Sequence, residues 1–136
     1  MVRTIIRDPF FLNRKSMPAT EEDLPVARDL ADTLNAHLEE CVGMAANMIG
    51  ERKRIIAVAK GSMVIVMLNP KILSKAEEYE AEEGCLCHAG TRKAKRYRTI
   101  RLSWQDTQMR QHVTMVDGFM AQIVQHEVDH CDGILI

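Results

Sequence analysis

The chain has almost no net charge: 18 Lys and Arg stand against 19 Asp and Glu, a formal balance of −1 over 136 residues. That argues against nucleic acid or an anionic membrane as the main partner of the whole surface. The chain also lacks any run of about 18 uncharged apolar residues, so no transmembrane helix is expected. Its opening stretch, Met1 to Pro9, does not read as an export signal, because charges break the short apolar run. Internal repeats, low-complexity tracts and linkers are missing too. A cytoplasmic location is the expectation, and with it four free thiols, Cys41, Cys85, Cys87 and Cys131, rather than two disulfides. The two separated CxxC pairs of a zinc ribbon are absent; Cys85 and Cys87 are instead spaced to share one face of a strand. What is present is a 46% hydrophobic content, enough for one domain over residues 1–136.

Residues 1–20, interrupted by Pro9, Asn13 and Pro18, read as an irregular packed arm. From about Glu21 to Cys41, Leu24, Ala27, Leu30, Ala31, Leu34 and Leu38 recur at helical spacing, with Thr20 as N-cap and Pro25 near the start. Two β-like runs follow, Arg54 to Ala59 and Met63 to Leu68, joined by a turn at Lys60-Gly61-Ser62. Asn69-Pro70 is expected to end the second run, leaving Lys71 to Glu83 as an exposed-edged strand or a loop. Arg92 to Trp104 and Gln111 to Val116 read as further strands. A last helix starts near Asp117-Gly118, with Phe119, Met120, Ile123 and Val124 as its apolar face. The fold class is therefore α+β: antiparallel strands packed around a C-terminal helix, with one long N-terminal helix. The basic stretch Arg92, Lys93, Lys95, Arg96, Arg98 and Arg101 reads as a solvated strand face, not a strong nucleic-acid signal.

The last helix carries Gln125-His126-Glu127-Val128-Asp129-His130, an HExxH pattern. Residues four apart share a helix face, so His126 and His130 can reach one cation while Glu127 can reach water activated there. A catalytic metal commonly has three protein ligands and an open position. Cys85, after Gly84, is the candidate third, since a thiolate with two imidazoles suits divalent iron or zinc. Taken alone, Cys85 reads sooner as a buried structural thiol.

Three segments, in order, resemble the signature of the peptide deformylases, GxGxAAxQ, EGCLS and HExDH. They stand here as Cys41-Val42-Gly43-Met44-Ala45-Ala46-Asn47-Met48, Glu83-Gly84-Cys85-Leu86-Cys87 and His126-Glu127-Val128-Asp129-His130. A lone HExxH protease has no place for the first two. The resemblance implies one divalent metal on Cys85, His126 and His130, Fe2+ foremost, with Zn2+, Ni2+ and Co2+ as alternatives. It implies that Glu127 moves the proton as water attacks the formyl carbon of an N-formylmethionyl peptide, releasing formate. The backbone N–H of Leu86 would hold the oxyanion, and Cys41, Gly43 and Met44 would flank the peptide. Substrates would be nascent chains, with the ribosome as a possible partner, and no membrane is implied. Met48 stands in the slot of the family's Gln and cannot donate a hydrogen bond. Cys41 and Cys87 replace a Gly and a Ser, and Asn47 could offer its amide only after a local register change. With Ile136 a few residues after the last motif, the expectation is a catalytic core without the C-terminal extension of many deformylases. The alternative function is a weak or silent paralogue that binds metal and serves as a ligand- or peptide-binding module.

Overall fold

Residues Ile55–Lys60 form the strand around which the rest is layered. In the computed structural model, which describes residues 1–136, five antiparallel strands lie side by side in chain order. They are β1 (Gly43–Ala45), β2 (Ile55–Lys60), β3 (Met63–Cys85), β4 (His88–Gln105) and β5 (Gln111–Asp117). The helices are a single turn, α1 (Pro9–Leu12), then α2 (Leu24–Ala36) and α3 (Gly118–Cys131). Alternate side chains of a strand point to opposite faces, and β2 uses both. Ile55 and Ala57 pack with Leu30 and Leu34 of α2, while Ile56 and Val58 pack with Ala121, Val124 and Val128 of α3. A helix covers each face of the sheet, which is why β2 reads as an unbroken apolar run. No helix is long and apolar enough to cross a membrane.

The β2–β3 hairpin forms at the expected turn, Lys60 pairing with Met63 around Gly61, whose φ of 63° suits glycine. Three other expectations need correction. Asn69-Pro70 does not end a strand: β3 runs on to Cys85 and pairs with β4, with the register slipping between Leu68 and Lys71. Proline cannot donate to the ladder and is tolerated at such an irregularity. Asn69 steadies it, its Oδ1 accepting from Ala19 N at 2.7 Å and its Nδ2 donating to Ala19 O at 2.9 Å. The N-terminal helix is shorter than the span to Cys41. Thr20 and Asp23 form a capping box over a 3-10 turn, Glu21–Asp23, and the helix closes at Ala36, where His37 N donates to Leu34 O. Residues 37–42 are thereby freed to lead into β1. Finally, Phe119 is 64% exposed; the buried face of α3 is Ala121, Ile123, Val124 and Val128.

One member of the basic stretch is not on a solvated face. Arg96 is 4% exposed, and its guanidinium donates to both oxygens of Glu83, Nε to Oε2 at 2.9 Å and Nη2 to Oε1 at 2.7 Å. Its Nη1 also reaches Asp129 Oδ2 at 2.8 Å. Glu83 accepts further from Gln122 Nε2 at 2.9 Å and from His126 Nδ1 at 2.8 Å. The ion pair thus joins β3, β4 and α3 at the carboxyl end of the sheet ribbon. A second tie secures the end of α3: Arg54 Nη1 donates to Asp132 Oδ1 at 2.7 Å, and a Cβ on Gly133 would overlap the backbone of Asn13.

Burial works to raise the Glu83 carboxyl, but the bonds from His126 and Arg96 outweigh it and hold it down at about 2, against an ordinary 4.5. A carboxylate lowered by folding stabilises fully above its unfolded value, and that contribution is lost as pH falls through the folded one. We therefore expect the melting temperature to drop as pH falls from 4.5 towards 2, and Glu83→Gln to flatten part of that slope. A thermal series across this window, with slopes matching in parent and variant, would contradict the assignment.

Candidate active site

A cleft of about 590 Å³ opens between three segments: residues 38–43 ahead of β1, residues 82–90 around the β3–β4 turn, and the face of α3 carrying Phe119, Gln122, Ile123, His126 and Glu127. Helical spacing places His126 and His130 on the same side of α3, their ring centres 5.2 Å apart. His130 is fully buried and His126 nearly so. Cys85 reaches them from the end of β3, its Sγ 3.4 Å from His130 Nε2. Because Glu83 engages Nδ1 of His126, the ring is oriented and its Nε2 left for another partner. Burial lowers the His126 pKa, but the hydrogen bonds it gives to Cys85 and Glu83 and the charge of Glu127 outweigh it and raise the value to about 10.

Glu127 sits beside the imidazoles, 3% exposed. Burial raises its carboxyl to about 7, against the pull of His126 and His130, and its Oε1 is buried without a partner. The carboxyl has room only because residue 43 is glycine: a Cβ there would come within 2.8 Å of Glu127 Oε2 and 2.6 Å of Ile123 Cγ2. Cys41 also borders the cleft, its thiol donating to Gly43 O at 3.4 Å. Burial and the nearby Glu127 charge push that thiol up to about 12, so it stays protonated.

Two clusters of possible metal donors share His130: Cys85, Cys87 and His130, and His126, Glu127 and His130, the ligand atoms in each lying within 4.8 Å of one another. Thiolate with imidazole suits divalent iron or zinc, and a buried carboxyl oxygen without a partner fits a group that would act on water next to such an ion. The residues present therefore fit a divalent metal.

The remaining sites expected from sequence fall in two places. Leu86 borders the cleft on the two-residue turn between Cys85 and His88, and its N–H makes no hydrogen bond within the protein. Met44 and Met48 do not line the cleft; both are buried in the cluster that α2 covers. Asn47 is not on an extended segment, since residues Ala46–Ile49 form a 3-10 turn. Its Nδ2 is spent on His130 O at 3.0 Å, fixing the end of α3. Sequence reasoning missed Arg96, Asp129 and Gln122 as supports of Glu83 and His126, and Phe119, Ile123 and Leu38 as walls of the cleft. The signal available for the first group was Glu83 itself, an acid placed two residues from a metal-ligand candidate, which calls for a buried cation or histidine partner.

The comparisons with known proteins agree with this geometry. The family model of polypeptide deformylase matches residues 3–136. A peptide deformylase of Clostridium beijerinckii is 48% identical over the full length of both chains. One from Dictyoglomus thermophilum is 36% identical, covering all of this chain and 91% of that protein. Among solved structures, the class I type b peptide deformylase of Acinetobacter baumannii with Met-Ala-Ser bound superposes with a TM-score of 0.88 at 30% identity, covering 99% of this chain and 97% of that one. The peptide deformylase of Thermotoga maritima gives 0.88 at 27% identity, with 99% and 95% covered. An HExxH helix, a thiol at the end of a long strand and a glycine pressed against the helix carboxylate thus occur in a chain that belongs to the polypeptide deformylase family.

Proposed function

We propose that this protein removes the N-formyl group from N-formylmethionyl peptides, with water as nucleophile and formate and the free amine as products. The observation that carries the reading is Glu127: a buried carboxyl with one oxygen unpartnered, its value raised to about 7, lying in the cleft beside two imidazoles and a thiol. Cys85, His126 and His130 would hold the divalent metal, Fe2+ first and Zn2+, Ni2+ or Co2+ as alternatives. When bound, it supplies Lewis-acid polarisation of the formyl carbonyl and of the water.

The rest of the chemistry falls to the chain. Glu127 takes a proton from the water as the oxygen adds to the formyl carbon, then gives it to the departing amine as the C–N bond breaks. The free N–H of Leu86 donates to the developing oxyanion. β1 is the outer strand of the sheet, so the edge it leaves open offers backbone groups to an extended peptide. Leu38, Ile123 and Phe119 supply apolar surface for the methionyl side chain. Met48 leaves the oxyanion without a side-chain amide, a loss that costs on the order of 10²–10³ in turnover where such donors have been removed. The enzyme is therefore slower than one with glutamine in that slot. Nascent chains in the cytoplasm, at or near the ribosome, are the substrates this reaction class calls for. The silent-module alternative is not favoured, because the likeness to a peptide deformylase extends over the whole chain.

Formate release from formyl-Met-Ala-Ser by anaerobically purified, iron-loaded protein tests the reaction. Glu127→Gln should lose about 10²–10⁴ in kcat while keeping its metal; equal rates would remove Glu127 from the chemistry. Metal content tests the ligands separately. Cys85→Ala and His126→Ala should each lose bound metal, and unchanged stoichiometry in both would sink the assigned site.

A further inference from the structure

The four cysteines are not equivalent. Cys131, the last residue of α3, is buried in one cluster with Ile56 and Val58, and the Cys41 thiol is bonded to a backbone carbonyl. Cys87 and Cys85 instead converge. Cys85 ends β3, and the two-residue turn Leu86-Cys87 folds the chain back so that the Cys87 sulfur lies 3.2 Å from the Cys85 sulfur. Cys87 is 4% exposed, and its only hydrogen-bond partner is that sulfur. The Cys85 sulfur is in turn 3.4 Å from His130 Nε2, and the three ligand atoms form one cluster.

We propose that Cys87 is itself a metal ligand, completing a Cys85, Cys87, His126, His130 set around the divalent ion. The inference rests on the metal site assigned under the proposed function. Two thiolates bound tetrahedrally at about 2.3 Å from a zinc-like ion sit about 3.8 Å apart. The sulfur pair must therefore open by roughly half an ångström to take the ion between its members, a motion within reach of a χ1 adjustment in a two-residue turn, and His126, which belongs to the other donor group around His130, must close on the same ion. Binding replaces the thiol protons of Cys85 and Cys87 with the ion, and both protons pass to solvent. A serine at position 87, as in the family motif, has a hydroxyl that is a poor ligand for such an ion and leaves the fourth position open. With Cys87 engaged, Cys85, Cys87, His126 and His130 would supply four protein donors, the number found in structural sites. Access of water and substrate to the ion would then depend on Cys87 leaving the donor set. Such a site holds its metal more firmly and turns over more slowly than a three-ligand one.

The test is a count of thiolates. In the cobalt-substituted protein, sulfur-to-cobalt charge-transfer absorption reports the number of bound thiolates, so Cys87→Ser and Cys85→Ser should each lower it by about half. X-ray absorption on the unsubstituted chain provides a count that needs no variant: two sulfurs per metal are expected. Full charge-transfer intensity in Cys87→Ser, or one sulfur per metal in the parent, overturns the proposal. Loss of intensity in Cys85→Ser alone does the same while leaving the three-ligand site intact. Unchanged intensity in both variants overturns the assignment of Cys85 as well, and with it the metal site of the proposed function.

Discussion

The buried ion pair between Arg96 and Glu83 is the constraint on which the site depends. Isolated, either charge would be costly so far from water. Together, with Asp129 on one side and Gln122 and His126 on the other, every strong donor of Arg96 is directed at an acceptor and both Glu83 oxygens are used. The three elements that carry it, β3, β4 and α3, meet nowhere else through so many charged bonds. Glu83 lies two residues before Cys85, and Asp129 lies between the two histidines. The same pair that docks the helix on the strands therefore also sets the direction in which the sulfur and the His126 ring point.

A second constraint is steric. β1 crosses α3 so closely that a methyl group on residue 43 would strike Ile123 and Glu127. That proximity buries one side of the Glu127 carboxyl and brings the edge strand of the sheet alongside it. A carboxyl raised to about 7 can both accept and return a proton near neutral pH, which one bonded to a guanidinium, as Glu83 is, cannot do. Two acids of the same helix–strand junction are thus driven in opposite directions, one by burial and one by partners, and only the first suits proton transfer.

Much of this was legible before the fold was known. The histidine spacing placed both rings on one face of α3, and the hairpin around Gly61 and the strands before α3 followed from β-like runs and turn residues. What was hidden depended on long-range geometry. Arg96 looked like one of six surface cations because alternation along a strand does not say which face meets a helix. Asn69-Pro70 read as a stop because a bulge that accommodates proline is set by the partner strand, not by the dipeptide. Phe119 looked like core from its place in an apolar stripe, yet it borders an open cleft. The motif neighbours of Met44 and Met48 suggest a place beside the substrate, but Met44 points from β1, and Met48 from the 3-10 turn that follows it, into the cluster under α2. Asn47 was treated as a spare amide and is instead the clamp on the end of the metal-binding helix.

The Glu83 and Arg96 pair holds His126 in the orientation a metal requires. The metal affinity of Glu83→Gln, with Cys85, His126 and His130 all intact and at a pH where the variant remains folded, tests this directly. Loss of a supporting carboxylate of this kind weakens metal binding by about 10-fold to 100-fold, and that is the expected result. An affinity equal to that of the parent chain would show that the ring is oriented without the pair.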